Sequence, residues 1–323
     1  MTRPIPITHR KGLSRKAGRH HSAKPARKIL ILGGSGFVGR RLFARLGPEG
    51  AVATYNRNPI SGGIRFDAVS MRLPDVVPDP DSVGAGVILL GDTSADRCAR
   101  DLERSHELNV VSVQAVIDVL RGWGKKILFT SSEYVFDGER GGYDELCPPG
   151  PILAYGRQKL EVERYLAERD PGALILRLAR VVSARPGDKT LLSSWLPAIA
   201  KGGVIRCAGD QAFSPLFADD AVTGILRALD LDLRGIFHLA GPRPYRRIEL
   251  LEMLLAQMRK HGPVSVEIEP CGVNDFPLKE RHPIDVSLDP AKFIKATRCR
   301  FRGMPWVCRE LVKAARAQAW SPS

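Results

Sequence analysis

A doubly wound α/β fold is what this 323-residue sequence predicts: a parallel sheet with helices on both faces, followed by a smaller C-terminal subdomain. Three observations carry that expectation. Short apolar runs alternate with helical patterns through the first half of the chain, a glycine cluster sits between the first run and the first helical pattern, and the periodicity weakens after about residue 180.

Taken in order, Ile29 to Leu32 is a continuous apolar run opening at Lys28, and Arg40 to Leu46 has helical spacing with Leu42, Phe43 and Leu46 apolar. Ala51 to Tyr55 reads as a second strand and Ile64 to Phe66 as a weaker third. Val87 to Leu90 is a run of the kind buried on both faces of a parallel sheet. Ala99 to Arg121, with Leu102, Leu108, Val111, Val113, Val116, Ile117 and Leu120, reads as one long helix leading into a strand at Lys126 to Phe129. Tyr155 to Arg169 is a helix stopped by Pro171-Gly172, and Ala173 to Leu178 a further strand. Ile236 to Leu239 is the last core strand and Ile248 to Lys260 an amphipathic helix. The division that follows is a basic disordered tail over 1–27, a nucleotide-binding domain over 28–181 with about 216–242, and a substrate-binding subdomain over about 182–215 with 243–323.

The formal charge is +14, but residues 1–28 hold nine Lys and Arg and no acid, so most of the excess belongs to the tail. Such an arm meets phosphates through charge alone. Without aromatic residues to stack bases it suggests nucleic acid only weakly. The six cysteines are dispersed with no C-x-x-C pair, which argues against a disulfide framework and a zinc site, and no metal is expected. No apolar run approaches the roughly 18 to 20 residues that cross a bilayer, and the basic N-terminus lacks the apolar stretch of a secretory signal. A cytoplasmic protein without membrane contact is the expectation.

Gly33-x-x-Gly36-x-x-Gly39 lies where the first strand turns into the first helix. Backbone amides and the helix dipole favour an anion there, and glycine lets a pyrophosphate come close, as in Rossmann-type dinucleotide sites. Gly33, Gly36, Phe37, Val38 and Gly39 are therefore the candidate cofactor contacts. The second strand ends Tyr55-Asn56-Arg57, with no acid to take ribose hydroxyls and an arginine suited to a 2′-phosphate, which favours NADP(H) over NAD(H). Asp67 stands where an acid can meet the adenine amino group; a strand-end turn is the other reading.

Tyr155 and Lys159 lie one turn apart at a helix start, and Ser132 follows the strand Lys126 to Phe129, at the adjacent strand end. A carbonyl receiving hydride needs a proton on its oxygen, and a phenol with an ordinary pKa near 10 is poorly matched to neutral pH. The Lys159 ammonium is expected to depress that pKa, while Ser132 hydrogen-bonds and orients the carbonyl.

On these residues the chain resembles the extended short-chain dehydrogenases/reductases, and within them the dTDP-4-dehydrorhamnose reductase family. The matches are GGSGFVG, Ala95-Asp96-Arg97-Cys98, Leu108-Asn109-Val110, SSEYVFDGERGGYDE, Pro148-Pro149-Gly150-Pro151, YGRQK, FSPLFADDA and His282-Pro283 with Ser287-Leu288-Asp289. The resemblance implies NADPH-dependent reduction of the keto group of a nucleotide-linked 4-ketosugar, with Tyr155 as proton donor, and adds Gly91 to the cofactor site. It leaves open an NAD-dependent epimerase, a non-catalytic NADP-binding regulatory subunit like that of methionine adenosyltransferase, and a homodimer. Dehydration is disfavoured, because Glu133 is followed by Tyr134 and one carboxylate does not readily serve as both acid and base. On the substrate side Glu133, Arg180 and Arg281 are the candidates. Two departures stand out: Asp92 in Leu90-Gly91-Asp92-Thr93 replaces an Asn-Ala-Ala run and puts a carboxylate near the cofactor, and Ser132-Glu133 replaces a Thr-Asp pair.

Overall fold

The computed structural model describes residues 27–319, so the expectations for the tail fall outside the described residues except at Arg27. In chain order the first part comprises β1 (Lys28–Leu32), α1 (Phe37–Gly50), β2 (Ala51–Tyr55), β3 (Ile64–Arg65), α2 (Leu73–Val76), β4 (Val83–Ile88), α3 (Ala95–Arg100), α4 (Leu102–His106), α5 (Ser112–Gly122), β5 (Lys126–Ser132), α6 (Ala154–Arg169) and β6 (Leu174–Leu178). Then follow β7 (Val181–Val182), α7 (Leu191–Ser194), α8 (Leu196–Lys201), β8 (Gly203–Ala208), β9 (Ala212–Phe213), β10 (Leu216–Phe217), α9 (Ala218–Asp230) and β11 (Gly235–Leu239). The last elements are β12 (Tyr245–Arg246), α10 (Arg247–Arg259), β13 (Val266–Cys271), α11 (Ala291–Thr297) and α12 (Met304–Ala319).

Seven of these strands form one parallel sheet in the order β11-β6-β5-β4-β1-β2-β3. The fold is the doubly wound Rossmann-type α/β sheet that the sequence predicts. Alternate residues of each strand face opposite layers. Leu30, Leu32, Ile88 and Phe129 pack with Val113, Ile117, Val162 and Leu166 of α5 and α6, whereas Ile31, Val87 and Leu128 pack with Leu42, Ala221 and Ile225 of α1 and α9. Strand order reverses between β1 and β4, and the crevice that opens at that switch point is the usual ligand site of such sheets.

The long helix expected over Ala99 to Arg121 is broken. Asp101 leaves helical geometry (φ −139°) and its side chain accepts from the Arg104 amide at 3.1 Å, ending α3 and capping α4; a π-helical turn, Glu107–Val111, then joins α4 to α5. The apolar spacing misleads because Leu102 and Val111 are half-exposed and do not belong to the core. The strand expected through Leu90 ends at Ile88, leaving Leu89 to Gly91 as loop at the crevice.

The remaining strands make small two-stranded sheets: β8 beside β13 and β7 beside β10 in parallel, β9 beside β12 antiparallel. A separate core of Leu192, Trp195, Leu250, Leu254, Val307 and Leu311 joins α7 and α8 to α10 and α12. Helix α11, from the 243–323 stretch, instead returns to the central sheet, where buried Phe293 meets Phe237 of β11 edge-on at 6.2 Å. No helix among the described residues is long and apolar enough to cross a membrane.

Candidate active site

Gly33 adopts φ +88°, its amide donates to Thr54 Oγ1 at 3.1 Å, and its carbonyl accepts from the Gly36 amide at 3.0 Å. A Cβ on Gly39 would stand 2.3 Å from the Gly33 oxygen, and one on Gly33 2.8 Å from the Leu89 oxygen, so the backbone is packed too closely for any side chain. Helix α1 starts here with no side-chain cap and no acid in its first turn. Its leading amides, with the positive end of the helix dipole, are therefore free to meet an anion. This donor set and glycine cradle fit the pyrophosphate of a dinucleotide.

A cavity of about 390 Å³ extends from the turn. Gly33, Gly36, Phe37, Val38, Gly39 and Gly91 line one side, and Ser132, Glu133, Tyr134, Tyr155, Lys159 and Arg180 the other. Arg57 and Asp67 are not among its lining residues. Arg57 is exposed just beyond β2; Asp67 makes a turn, its carboxylate accepting from the Val69 amide at 3.2 Å. The carboxylate of Asp92 is bound by Arg97 at 2.6 and 2.7 Å and accepts from the Ser94 amide. Burial opposes its ionisation, but these contacts win and hold it below the usual carboxylate range. Its own amide donates to buried Asn109, which also donates to Gln158 of α6. The expected perturbation of the cofactor field is thus largely neutralised locally, the carboxylate being paired with a guanidinium.

Ser132 closes β5 and its hydroxyl accepts from the Tyr134 amide at 3.2 Å. Tyr155 and Lys159, both buried on α6, face the same cavity. Lys159 Nζ donates to the Thr130 carbonyl at 3.0 Å and lies 5.8 Å from the Tyr155 ring centre. Burial pushes the ammonium down to about 8, opposed by Glu163 one turn further on, whose carboxylate is held by Arg177 at 2.7 to 3.2 Å. The depressed phenol expected for Tyr155 is not what the chain alone sets up: burial raises it, with the Ser132 hydroxyl pulling the other way. Desolvating a phenolate outweighs a lysine directed at a backbone carbonyl.

Glu133 is buried, accepts from the Arg180 amide at 3.0 Å, and is pushed up to about 7 by burial, with Arg180 opposing. Arg180 donates to the Tyr134 hydroxyl at 2.6 Å. Arg281 is exposed and does not line the cavity. Two further residues belong near Arg180 instead: Arg247, which the sequence did not single out, and His282, which it offered only as part of the family match. Arg247, at the start of α10, is pushed down by burial and then by Arg180; His282 packs edge-on to Tyr134 at 6.1 Å and is pushed down chiefly by burial, with Arg180 and Arg247 acting in the same direction. Arg180 Nε, Arg247 Nε and His282 Nε2 are all buried and find no hydrogen-bond partner among the described residues. Buried polar atoms without a partner are costly, and two guanidiniums and an imidazole from distant segments make a place suited to an anion. Sequence spacing gives no sign of this, because 180, 247 and 282 meet only through tertiary packing. Among the described residues no group of three or more His, Cys, Asp or Glu could hold a metal ion.

The family model of the RmlD substrate binding domain matches residues 27–314. A dTDP-4-dehydrorhamnose reductase of Sinorhizobium fredii is 31% identical over 222 residues, covering 66% of this chain and 72% of that protein. Methionine adenosyltransferase 2 subunit beta of Danio rerio is 27% identical over 245 residues, 70% of each chain. The crystal structure of a hypothetical dTDP-4-dehydrorhamnose reductase from Sulfolobus tokodaii aligns with a TM-score of 0.72 at 26% identity, over 83% of this chain and 94% of that one. With the switch-point cavity and its glycine cradle, these similarities make the chain a member of the RmlD family of extended short-chain dehydrogenases/reductases, an NAD(P)-dependent oxidoreductase.

Proposed function

We propose that this enzyme uses NADPH to reduce the keto group of a nucleotide-linked 4-ketosugar. The observation that carries the reading is the single cavity in which the glycine turn faces Ser132, Tyr155 and Lys159. The bound dinucleotide supplies the hydride. Tyr155 gives its phenolic proton to the sugar oxygen as negative charge develops there, and the Ser132 hydroxyl hydrogen-bonds the same oxygen and orients it. Lys159, protonated at neutral pH, stabilises the tyrosinate that remains and is itself steadied by the Thr130 carbonyl and by Glu163. Arg180 and Arg247, with His282 beside them, take the diphosphate of the substrate. Arg57, exposed just beyond β2, takes the 2′-phosphate of NADPH. In this reading the sheet with its helices forms the cofactor domain, and the small sheets with α10 and α12 the substrate subdomain.

The test is the rate of NADPH and NADH oxidation with dTDP-4-keto-6-deoxyhexoses. NADPH-linked turnover is expected, with Tyr155→Phe lowering kcat by roughly 10² to 10⁴ and Arg57→Ala weakening NADPH selectively. Release of tightly bound NAD on denaturation would instead favour an epimerase. The similarity to the methionine adenosyltransferase subunit supports a second reading, an NADP-binding regulatory protein. No turnover on any ketosugar, with Tyr155→Phe unchanged in every assay, would favour it.

A further inference from the structure

Helix α6 carries Tyr155 in its first turn, yet its own sequence gives that turn no cap: Leu153 at the N-cap makes no side-chain hydrogen bond, and no acid sits in the first turn. First-turn amides have no partner within the helix, and Ala154 is buried, so bulk water is a poor substitute. The partner comes from far along the chain. Both carboxylate oxygens of Glu280 accept from the Ala154 amide, at 2.9 and 3.1 Å, and one accepts from Arg157 Nη2 at 2.9 Å.

The loop that brings Glu280 there is pinned on either side of it. The Lys279 amide donates to Asp96 of α3 at 3.2 Å. Asn274 clamps His282, accepting from its amide at 2.7 Å and donating to its carbonyl at 3.1 Å. His282 packs edge-on against Tyr134, and Tyr134 edge-on against Tyr155 at 6.3 Å. One loop therefore reaches both the peptide amide immediately before Tyr155 and the aromatic pair beside its ring.

We propose that Glu280 is a positioning residue for Tyr155: by capping the Ala154 amide from the substrate-side loop, it fixes the first turn of α6 and with it the direction of the phenol. The inference rests on Tyr155 being the proton donor. A donor in an uncapped, fraying first turn samples orientations in which the proton does not reach the substrate oxygen, and small misplacements of a reacting group cost rate steeply.

Glu280→Ala, Glu280→Gln and Arg157→Ala test this in the full-length protein, by amide hydrogen exchange at residues 154–158 and by kcat and KM. Loss of a cap speeds local opening roughly fivefold. In Glu280→Ala, exchange at 154–158 should rise by that factor and kcat fall roughly tenfold, with KM for NADPH unchanged. Glu280→Gln, which keeps an acceptor oxygen, should restore most of both, and Arg157→Ala, which removes the exposed ion pair and the bond from Arg157 Nη1 to the Ile152 carbonyl but leaves the Ala154 amide capped, should stay within about twofold. Unchanged exchange in Glu280→Ala overturns the proposal, and so does faster exchange with kcat within about twofold of wild type, since the cap is then merely structural. If the wild-type protein reduces no ketosugar, the reductase reading fails by itself. Exchange then still decides the cap: acceleration confined to 154–158 and reversed by Glu280→Gln supports it, and any other pattern overturns it.

Discussion

Glu133 and Lys159 are both buried charge-bearing groups at the candidate site, and burial acts on them in opposite senses. The Glu133 carboxyl is raised from 4.5 to about 7, so the folded state keeps a proton that the unfolded chain releases. Its contribution to stability is fully present below pH 4.5 and is lost as pH rises through about 7. Integrated over that window the loss is on the order of 3 kcal/mol. Glu133→Gln is neutral throughout, so the unfolding free energy of wild type relative to this variant should fall by that order between pH 4 and pH 8. Urea unfolding at the two pH values measures it; a constant difference would sink the idea. Lys159 is lowered from 10.5 to about 8, and the proposed chemistry needs its ammonium. kcat/KM should therefore decline as pH rises through about 8. An alkaline limb lying only above pH 10 would show that the desolvation argument is wrong.

At the level of elements, the turn between β1 and α1 is set by backbone crowding rather than by hydrogen bonds alone. Gly39 lies on the first helical turn facing the Gly33 carbonyl, so Gly39→Ala must displace backbone, which has no flexible end to move aside. We expect NADPH binding to weaken at least roughly tenfold, read as Kd by fluorescence titration. A variant that binds as wild type would show that the cradle tolerates the shift. The turn was legible in the sequence because glycine spacing reports backbone geometry directly. The break at Asp101 was not, because Leu102 and Val111 match a helical period while pointing to solvent, and periodicity does not distinguish a covered apolar residue from an exposed one. Asp101 itself carried the signal, as a residue type that competes for backbone amides.

Across the whole molecule, α11 ties the C-terminal stretch to the central sheet through Phe293, which stacks on Phe301 as well as meeting Phe237. Phe293→Ala should cost about 3 to 5 kcal/mol in denaturant unfolding, and the loss should appear in the transition of the sheet. A loss confined to a separate C-terminal transition would show that α11 does not belong to that core. The parallel sheet was legible in advance, and short-range spacing with strand-end position already drew the glycine turn, Ser132, Tyr155 and Lys159 to one end of it, where they line the same cavity. Tertiary structure alone decided the rest. It left Arg281 exposed while gathering Arg180, Arg247 and His282, and it brought Glu280 to the start of α6. Burial of polar groups from separate segments and capping of a helix by a remote loop depend on distances between segments far apart in the chain, and linear spacing carries no measure of those distances.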